Sequence, residues 1–218
     1  MKDLTILLPT RNERQGLKST LCNLVLLKER PEILVVDTNS TDGTLEVARD
    51  FGIKVIREPR KGKGVALITG FNNIETKYVI MMDADGTYPV YSIPQIYKEL
   101  QDGWEVILGY RKNKVKGSMS QFHSFGNSCL SLMASILYLH KVKDVCTGMK
   151  GFETDIVNSL CLKCRGFEIE AEIFSQAVGM GCKIKEIGID YLPRQGKAKL
   201  NGIKDGLKIG LELIKGRF

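Results

Sequence analysis

Asp83 and Asp85 stand one residue apart at the end of an apolar run, Tyr78-Val79-Ile80-Met81-Met82, and Gly86 follows them. Side chains of an extended backbone repeat every two residues, so both carboxylates are expected to share one orientation at the strand end. Two hard oxygen donors beside a flexible glycine suit Mg²⁺ or Mn²⁺, which take few carboxylates and complete their shell with water and substrate phosphate. The plainer alternative is that Asp83 starts a turn and Asp85-Gly86 makes it. A second feature, Gly62-Lys63-Gly64 ahead of an expected helix, offers free amides and a positive charge to an anion. It is not a Walker loop, and the dinucleotide pattern Gly-x-Gly-x-x-Gly is missing as well.

These residues need elements to hold them. The run 4–8, closed by Pro9, reads as a buried strand, and Leu17, Leu21, Leu24 and Val25 recur at helical spacing after it. Strands are expected at 33–36, at 53–56 and in the run that ends at Asp83, with helices between them. Such alternation makes a parallel, doubly wound α/β sheet whose ligands sit beyond the carboxyl ends of the strands. Residues 10–13, 37–42, 57–63 and 83–87 all lie at such ends, so four polar loops are expected to converge on one crevice.

A chain of 218 residues with 43% hydrophobic content can bury one substantial core. One domain, residues 1–218, is expected. Its 32 basic and 25 acidic residues give a formal charge of +7, which favours anionic partners. The basic clusters at 57–63, 111–116 and 194–215 are not interleaved with the aromatics of a nucleic-acid-binding surface. No signal-like amino terminus is visible, and no apolar run reaches the roughly 18 to 20 residues that cross a bilayer; a cytosolic protein is expected. Cys161-Leu162-Lys163-Cys164 lacks a second ligand pair for zinc, and the six cysteines read as free thiols and small core fillers.

The second half is less regular. A strand is expected at 105–108, then a basic loop to Ser120. The apolar stretch 125–139 reads as a buried helix, the alternative being one that rests on a membrane. Residues 144–152 read as a loop of small residues, 167–172 open a helix with acidic residues in its first turn, and 184–189 form a last strand. A basic loop, Arg194-Gln195-Gly196-Lys197-Ala198-Lys199, precedes a terminal helix. Its stripe of Ile203, Leu207, Leu211 and Ile214 is expected to pack on the sheet, the alternative being contact with a membrane surface, and Lys204, Lys208 and Lys215 lie on another face.

Leu8-Pro9-Thr10-Arg11-Asn12-Glu13, the segment Val35-Val36-Asp37-Thr38-Asn39-Ser40-Thr41-Asp42-Gly43-Thr44, Gly62-Lys63-Gly64 and Asp83-Ala84-Asp85, in this order, resemble family-2 glycosyltransferases of the glycosyltransferase-A fold. The resemblance covers nearly the whole chain. The carboxyl half is similar to polyprenyl-phosphate sugar synthases such as dolichyl-phosphate mannose synthase. The wording of 37–44 and 83–89 resembles archaeal members that load the first sugar onto dolichyl phosphate for protein N-glycosylation.

The resemblance implies a glycosyltransferase-A sheet, mostly parallel, with helices on both faces, a nucleotide-sugar half at 1–110 and an acceptor half at 111–218. It implies that Pro9, Thr10, Arg11, Glu13, Asp37 and Asn39 hold the nucleoside, with Asp37 accepting from the base. Lys63 would face the diphosphate, and Asp83, Ala84 and Asp85 would lie against ribose and a Mg²⁺ or Mn²⁺ ion, the ion bound by Asp83 and Asp85. Arg111, Arg194 and Lys199 would receive the phosphate of a dolichyl (polyprenyl) phosphate acceptor. The implied reaction is inverting transfer of N-acetylglucosamine or glucose, on the cytoplasmic face of a membrane to which the protein binds peripherally.

Three departures bear on that reading. Thr87 stands where mannose synthases carry a glutamine ligand, residues 121–123 lack an acceptor-loop arginine whose role would pass to His123, and Lys150 replaces an arginine. Relatives with appended membrane helices also differ from a chain that ends at Phe218. Asp144 is a candidate base if the acceptor is a hydroxyl, and otherwise a loop-capping carboxylate. Two other functions stay open: a transferase that extends a glycan, and a nucleotide-binding or nucleotidyltransferase module.

Overall fold

The computed structural model describes residues 1–196 and 198–218. Lys197, part of the basic loop, lies outside them. Among the described residues seven strands form one sheet in the order β3-β2-β1-β4-β6-β5-β7. They are β1 (Leu4–Thr10), β2 (Glu32–Asp37), β3 (Lys54–Arg57), β4 (Tyr78–Met81), β5 (Val106–Lys114), β6 (Lys150–Glu153) and β7 (Ile184–Tyr191). The four amino-terminal strands are mutually parallel, and so are β5 and β7. Only β6 runs against its neighbours, pairing antiparallel with both β4 and β5.

Period-two alternation sends successive side chains of each strand into two separate cores. Leu4, Ile6 and Leu8 of β1 face one core, which is completed by α1 (Arg14–Leu24), α2 (Thr44–Asp50) and α4 (Ile93–Gln101). Leu7 faces the other, which is completed by α3 (Lys63–Phe71), α5 (Gln121–Tyr138), α6 (Thr154–Ser159), α7 (Ile169–Gly179) and α8 (Gly202–Lys215). The expected sheet with helices on both faces is therefore found.

Several sequence expectations are corrected. Pro9 does not end β1: it stays in register with Val36, and the strand runs to Thr10 opposite Asp37. The stretch 144–152 is not all loop, because Lys150-Gly151-Phe152-Glu153 is a central strand. Few apolar residues mark it, yet Phe152 is fully buried and meets Phe71 edge to face at 6.0 Å. Strand β5 continues through Arg111 to Lys114, with a register shift against β7 between Arg111 and Asn113 that re-aims the strand near the site.

The largest correction concerns α5 and α8. Helix α5 buries only Ser131, Ala134 and Tyr138, while Phe122, Phe125, Leu132 and Ile136 are exposed. Helix α8 turns Ile209 and Leu213 inward and leaves Ile203, Leu207, Leu211 and Ile214 between 67% and 45% exposed. The α8 stripe does not pack on the sheet, and α5 is only half buried, with Leu130, Met133 and Leu137 packed partly against the core. Among the cysteines, Cys22, Cys129 and Cys161 are exposed, so only part of that set fills core. Among the described residues no helix is long and apolar enough to cross a membrane.

Because β6 is the bridge between the two parallel groups, Phe152→Ala should lower the unfolding free energy by about 3–5 kcal/mol, the usual cost of emptying a core phenylalanine site. Urea denaturation of the purified chain measures it.

Candidate active site

The ends of β1, β2 and β3 are level, with Thr10 opposite Asp37 and Asp37 opposite Arg57, so their loops open on the same side. The loops after β1 to β4 meet in a cavity of about 240 Å³ walled by Pro9, Thr10, Arg11, Glu13, Thr38, Gly62, Lys63, Asp83, Ala84 and Asp85. Arg194, Ala198 and Lys199 close it from the carboxyl-terminal side, with Phe167 on a further wall. Strand β4 ends at Met81, so Asp83 and Asp85 owe their shared outlook to the turn at Gly86 (φ +80°) rather than to strand alternation. Both carboxylates nevertheless line the one cavity.

Each is already paired. Asp83 Oδ1 lies 2.5 Å from Lys63 Nζ, which also donates to Glu170 Oε1 at 2.5 Å. Burial would lower the Lys63 pKa, but the two carboxylates more than offset this and raise it. Glu170, in the first turn of α7, is pushed up by burial against the pull of Lys63 and Lys150. Two of three ammonium donors are thus engaged, and one is left for a ligand. Asp85 accepts from the backbone amide (3.0 Å) and hydroxyl (2.6 Å) of Thr87, and from Arg194 at 2.5 Å. Thr87 is buried and orients this carboxylate. Glu13 accepts from both Arg194 and Lys199, while burial pushes its carboxyl up.

The glycines around Lys63 have a different task from the one expected. The Gly64 amide donates to the Arg165 carbonyl at 3.0 Å, so it is not free for an anion. A Cβ at Gly62 would lie 2.0 Å from the same carbonyl oxygen, which explains why this close approach requires glycine. Of the neighbouring basic residues, Arg60 turns to Glu58 at 2.8 Å, and neither it nor Arg57 or Lys61 walls the cavity. Asp37 is 1% exposed and does not line it either. Its carboxylate accepts from the Thr10 hydroxyl at 2.9 Å and the Ser40 amide at 2.9 Å, so it braces two loops from behind. Asn39 sits outside the wall, its side-chain amide bound to the Pro59 carbonyl at 2.6 Å.

Beyond Lys63, Asp83, Asp85 and Arg194 the cavity opens into a groove of about 930 Å³ between α5 and α8. Arg111, Tyr88, Tyr191 and His123 lie along it, followed by Leu130, Met133, Ile203, Leu207, Leu211 and Ile214. Arg111 forms a bidentate pair with Asp144, Nε and Nη2 each at 2.6 Å, and Asn127 adds a bond to Asp144 at 2.9 Å. Burial alone would raise the Asp144 pKa, but Arg111 outweighs it and holds the carboxyl below its usual range. A carboxylate so engaged is a poor proton acceptor, and Asp144 serves to aim Arg111. Lys150 is fully buried, donating to the Thr147 carbonyl at 2.5 Å, so it shapes the loop after Asp144 from within. Thr38 belongs to the loop 37–42 expected at the crevice, whereas the wall residues Phe167, Tyr88 and Tyr191 and the counter-ion role of Glu170 had no local signal, since only the assembled sheet brings them to the site.

Residues 5–161 match the family model described as glycosyl transferase family 2. The chain belongs to that family. It is 30% identical over 214 residues to a dolichyl-phosphate hexose transferase of Haloferax volcanii, covering 98% of this chain and 93% of that protein. To a dolichol-phosphate mannosyltransferase of Pyrococcus furiosus it is 29% identical, covering 91% of this chain and 59% of the other. Among solved structures, glucosyl-3-phosphoglycerate synthase of Mycobacterium tuberculosis with uridine diphosphate superposes with a TM-score of 0.80 at 17% identity, over 99% of this chain and 80% of that one. The same enzyme with Mn²⁺, uridine diphosphate and glucosyl-3-phosphoglycerate gives 0.75 at 18%, over 99% and 78%. These likenesses establish the glycosyltransferase-A fold, and the family makes this chain a glycosyltransferase.

Asp144→Asn leaves the Arg111 guanidinium buried without a counter-charge and should destabilise the chain by about 3–5 kcal/mol. Because the folded carboxyl pKa is depressed, the pair's contribution is present above the unfolded value of about 3.9 and is lost as pH falls through the lower folded value. The gap between the two proteins in urea titrations should therefore hold from about pH 8 to about pH 5 and close only in strong acid.

Proposed function

We propose that this enzyme transfers N-acetylglucosamine or glucose from a uridine diphosphate donor to dolichyl phosphate, with inversion, as a step in protein N-glycosylation. The observation that carries this reading is the continuity of the two spaces: a charged cavity sized for part of a nucleotide opens, past four shared charged residues, into an apolar groove. A glycan acceptor would meet greasy walls there, whereas a phosphate on a hydrocarbon chain matches both ends. The likeness to a dolichyl-phosphate hexose transferase of Haloferax volcanii supports the same acceptor.

In this reading residues 1–110 hold the donor and 111–218 the acceptor. Pro9, Thr10, Arg11 and Glu13 line the nucleoside end, with Asp37 and Asn39 holding the loops behind it. Lys63 offers its remaining N–H to the diphosphate. Asp83 and Asp85 fit a Mg²⁺ or Mn²⁺ ion, being hard oxygen donors on one wall of the cavity. When bound, such an ion supplies electrostatic stabilisation to the leaving diphosphate. Arg111, Arg194, Lys199 and His123 receive the acceptor phosphate, whose oxygen bonds to the anomeric carbon as the electron pair of the breaking bond leaves with uridine diphosphate. A phosphate monoester is largely ionised near neutral pH, with a second pKa of about 6, so no general base is required.

Labelled UDP-N-acetylglucosamine, UDP-glucose and GDP-mannose, each incubated with dolichyl phosphate and Mn²⁺, test this. A chloroform-soluble product from a uridine donor is expected; EDTA should abolish it, and Asp85→Asn should reduce it by roughly 100-fold or more. A water-soluble glycan, pyrophosphate release from a nucleoside triphosphate, or undiminished transfer in EDTA would overturn the corresponding part of the reading.

The acceptor's headgroup lies at a bilayer surface, so the groove must meet the cytoplasmic leaflet. Exposed Leu207 and Leu211 on α8 and Phe125 on α5 offer apolar contact, and Lys204, Lys208 and Lys215 are exposed beside them. Roughly 1 kcal/mol per basic residue near anionic lipid makes such docking reversible and salt-sensitive. The chain should sediment with anionic vesicles at low salt and be released in about 0.5 M salt. Changing the three lysines to Glu should remove sedimentation and lipid-linked transfer while uridine diphosphate binding survives; a triple variant that still does both refutes the docking role of α8.

A further inference from the structure

Tyr88 is 4% exposed and follows the turn that carries Asp85 and Thr87, yet it lines the groove and not the nucleoside cavity. Its ring meets Tyr191 edge to face at 5.4 Å, and the Arg111 guanidinium lies 5.2 Å from the Tyr191 ring centre. Its hydroxyl oxygen accepts from the Gly148 amide at 2.6 Å. Gly148 in turn packs on Asp83 so closely that a Cβ there would lie 2.2 Å from Asp83 Oδ2. The hydroxyl is therefore fixed between the neighbour of Asp83 and the neighbour of Arg111.

A phenol offers two lone pairs and one proton, and it keeps that proton at neutral pH. The Gly148 amide occupies a lone pair, whereas the proton finds no acceptor among the described residues. A buried O–H left in that state costs free energy, and phenylalanine would fill the same space against Tyr191 without the cost. The donor is explained if a ligand supplies the acceptor. In the proposed function the transferred sugar must lie between the diphosphate at Lys63 and the acceptor phosphate at Arg111, and both of these residues line the groove with Tyr88. The phosphates have cationic partners, so the group that matches a neutral O–H is a hydroxyl oxygen of the sugar. We propose that Tyr88 is a sugar-reading residue, whose O–H donates to a hydroxyl of the donor's hexose while Gly148 fixes its direction. This inference rests on the donor assignment of the proposed function and adds the contact that recognises the sugar itself.

Calorimetric titration of the full chain in Mn²⁺, without acceptor, tests it with UDP, UDP-glucose and monodeoxy analogues of UDP-glucose that each lack a single sugar hydroxyl. The natural chain should bind one analogue about tenfold more weakly than UDP-glucose, the worth of one well-made hydrogen bond. Tyr88→Phe should bind UDP-glucose and that analogue within about twofold of each other, and should bind UDP as the natural chain does. Equal discrimination by both proteins, or none by the natural chain, would overturn the sugar contact. A loss of UDP affinity in Tyr88→Phe as large as the loss for UDP-glucose would make the hydroxyl a brace for Gly148 alone and overturn it too. Unchanged UDP-glucose affinity with a raised KM for dolichyl phosphate would move the contact to the acceptor and likewise refute it. If the natural chain binds neither UDP nor UDP-glucose, the donor assignment falls and this contact with it. If the binding pattern is as expected but no lipid-linked product forms, the acceptor assignment falls and the role of Tyr88 stands.

Discussion

A cavity that collects carboxylates must balance them, because an unpaired charge out of water costs several kcal/mol. Here three sets of pairs do so: Lys63 between Asp83 and Glu170, Arg194 between Asp85 and Glu13, and Arg111 against Asp144. The partners are far apart in the chain, 107 residues for Lys63 and Glu170 and 181 for Arg194 and Glu13. Charge balance therefore also ties the two halves of the molecule together at the site. The same pairs set the charge that an incoming ligand meets, with one Lys63 N–H left over for it.

The apolar groove is the second half of this arrangement. Helices α5 and α8 turn part of their apolar surface inward, and Phe122, Phe125, Leu132, Ile136, Ile203, Leu207, Leu211 and Ile214 are left exposed. That is a poor solution for a helix whose only task is to close a core. In the proposed reading it suits an acceptor with a hydrocarbon chain, because the groove wall and the exposed apolar faces of the two helices are continuous.

Much of this is legible in the sequence. The four amino-terminal strands are apolar runs bounded by polar loops, and the rule that ligands gather at strand carboxyl ends correctly joined Thr10, Lys63, Asp83 and Asp85. The strand Lys150-Gly151-Phe152-Glu153 was not readable, since a lysine and a glycine in a central strand contradict β-propensity and are tolerated only because Lys150 finds backbone carbonyls and Gly151 accommodates Ile96. The faces of α5 and α8 were misassigned for a related reason: periodicity reports that a helix has an apolar stripe, not what the stripe meets. Glu170 was visible only as a favourable first-turn acid, and its pairing with Lys63 depends on the packing of the Arg165 loop against α3. Asp37 was expected to face the base; it is buried beside Thr10, whose hydroxyl donates to its carboxylate.

The antiparallel insertion of β6 has a consequence for how the chain is built. As the protein emerges from the ribosome, β1 to β4 can pair with one another in the order 1, 2, 3, 4, each joining strands already made. Strand β5 cannot: its partners are β6 and β7, both later in the chain. Val106, Ile107 and Leu108 thus wait exposed through the synthesis of α5, itself greasy, before β6 arrives to seat them. That interval is the one in which nascent chains of this protein are most open to sticking to each other, and where a chaperone would have the most to cover.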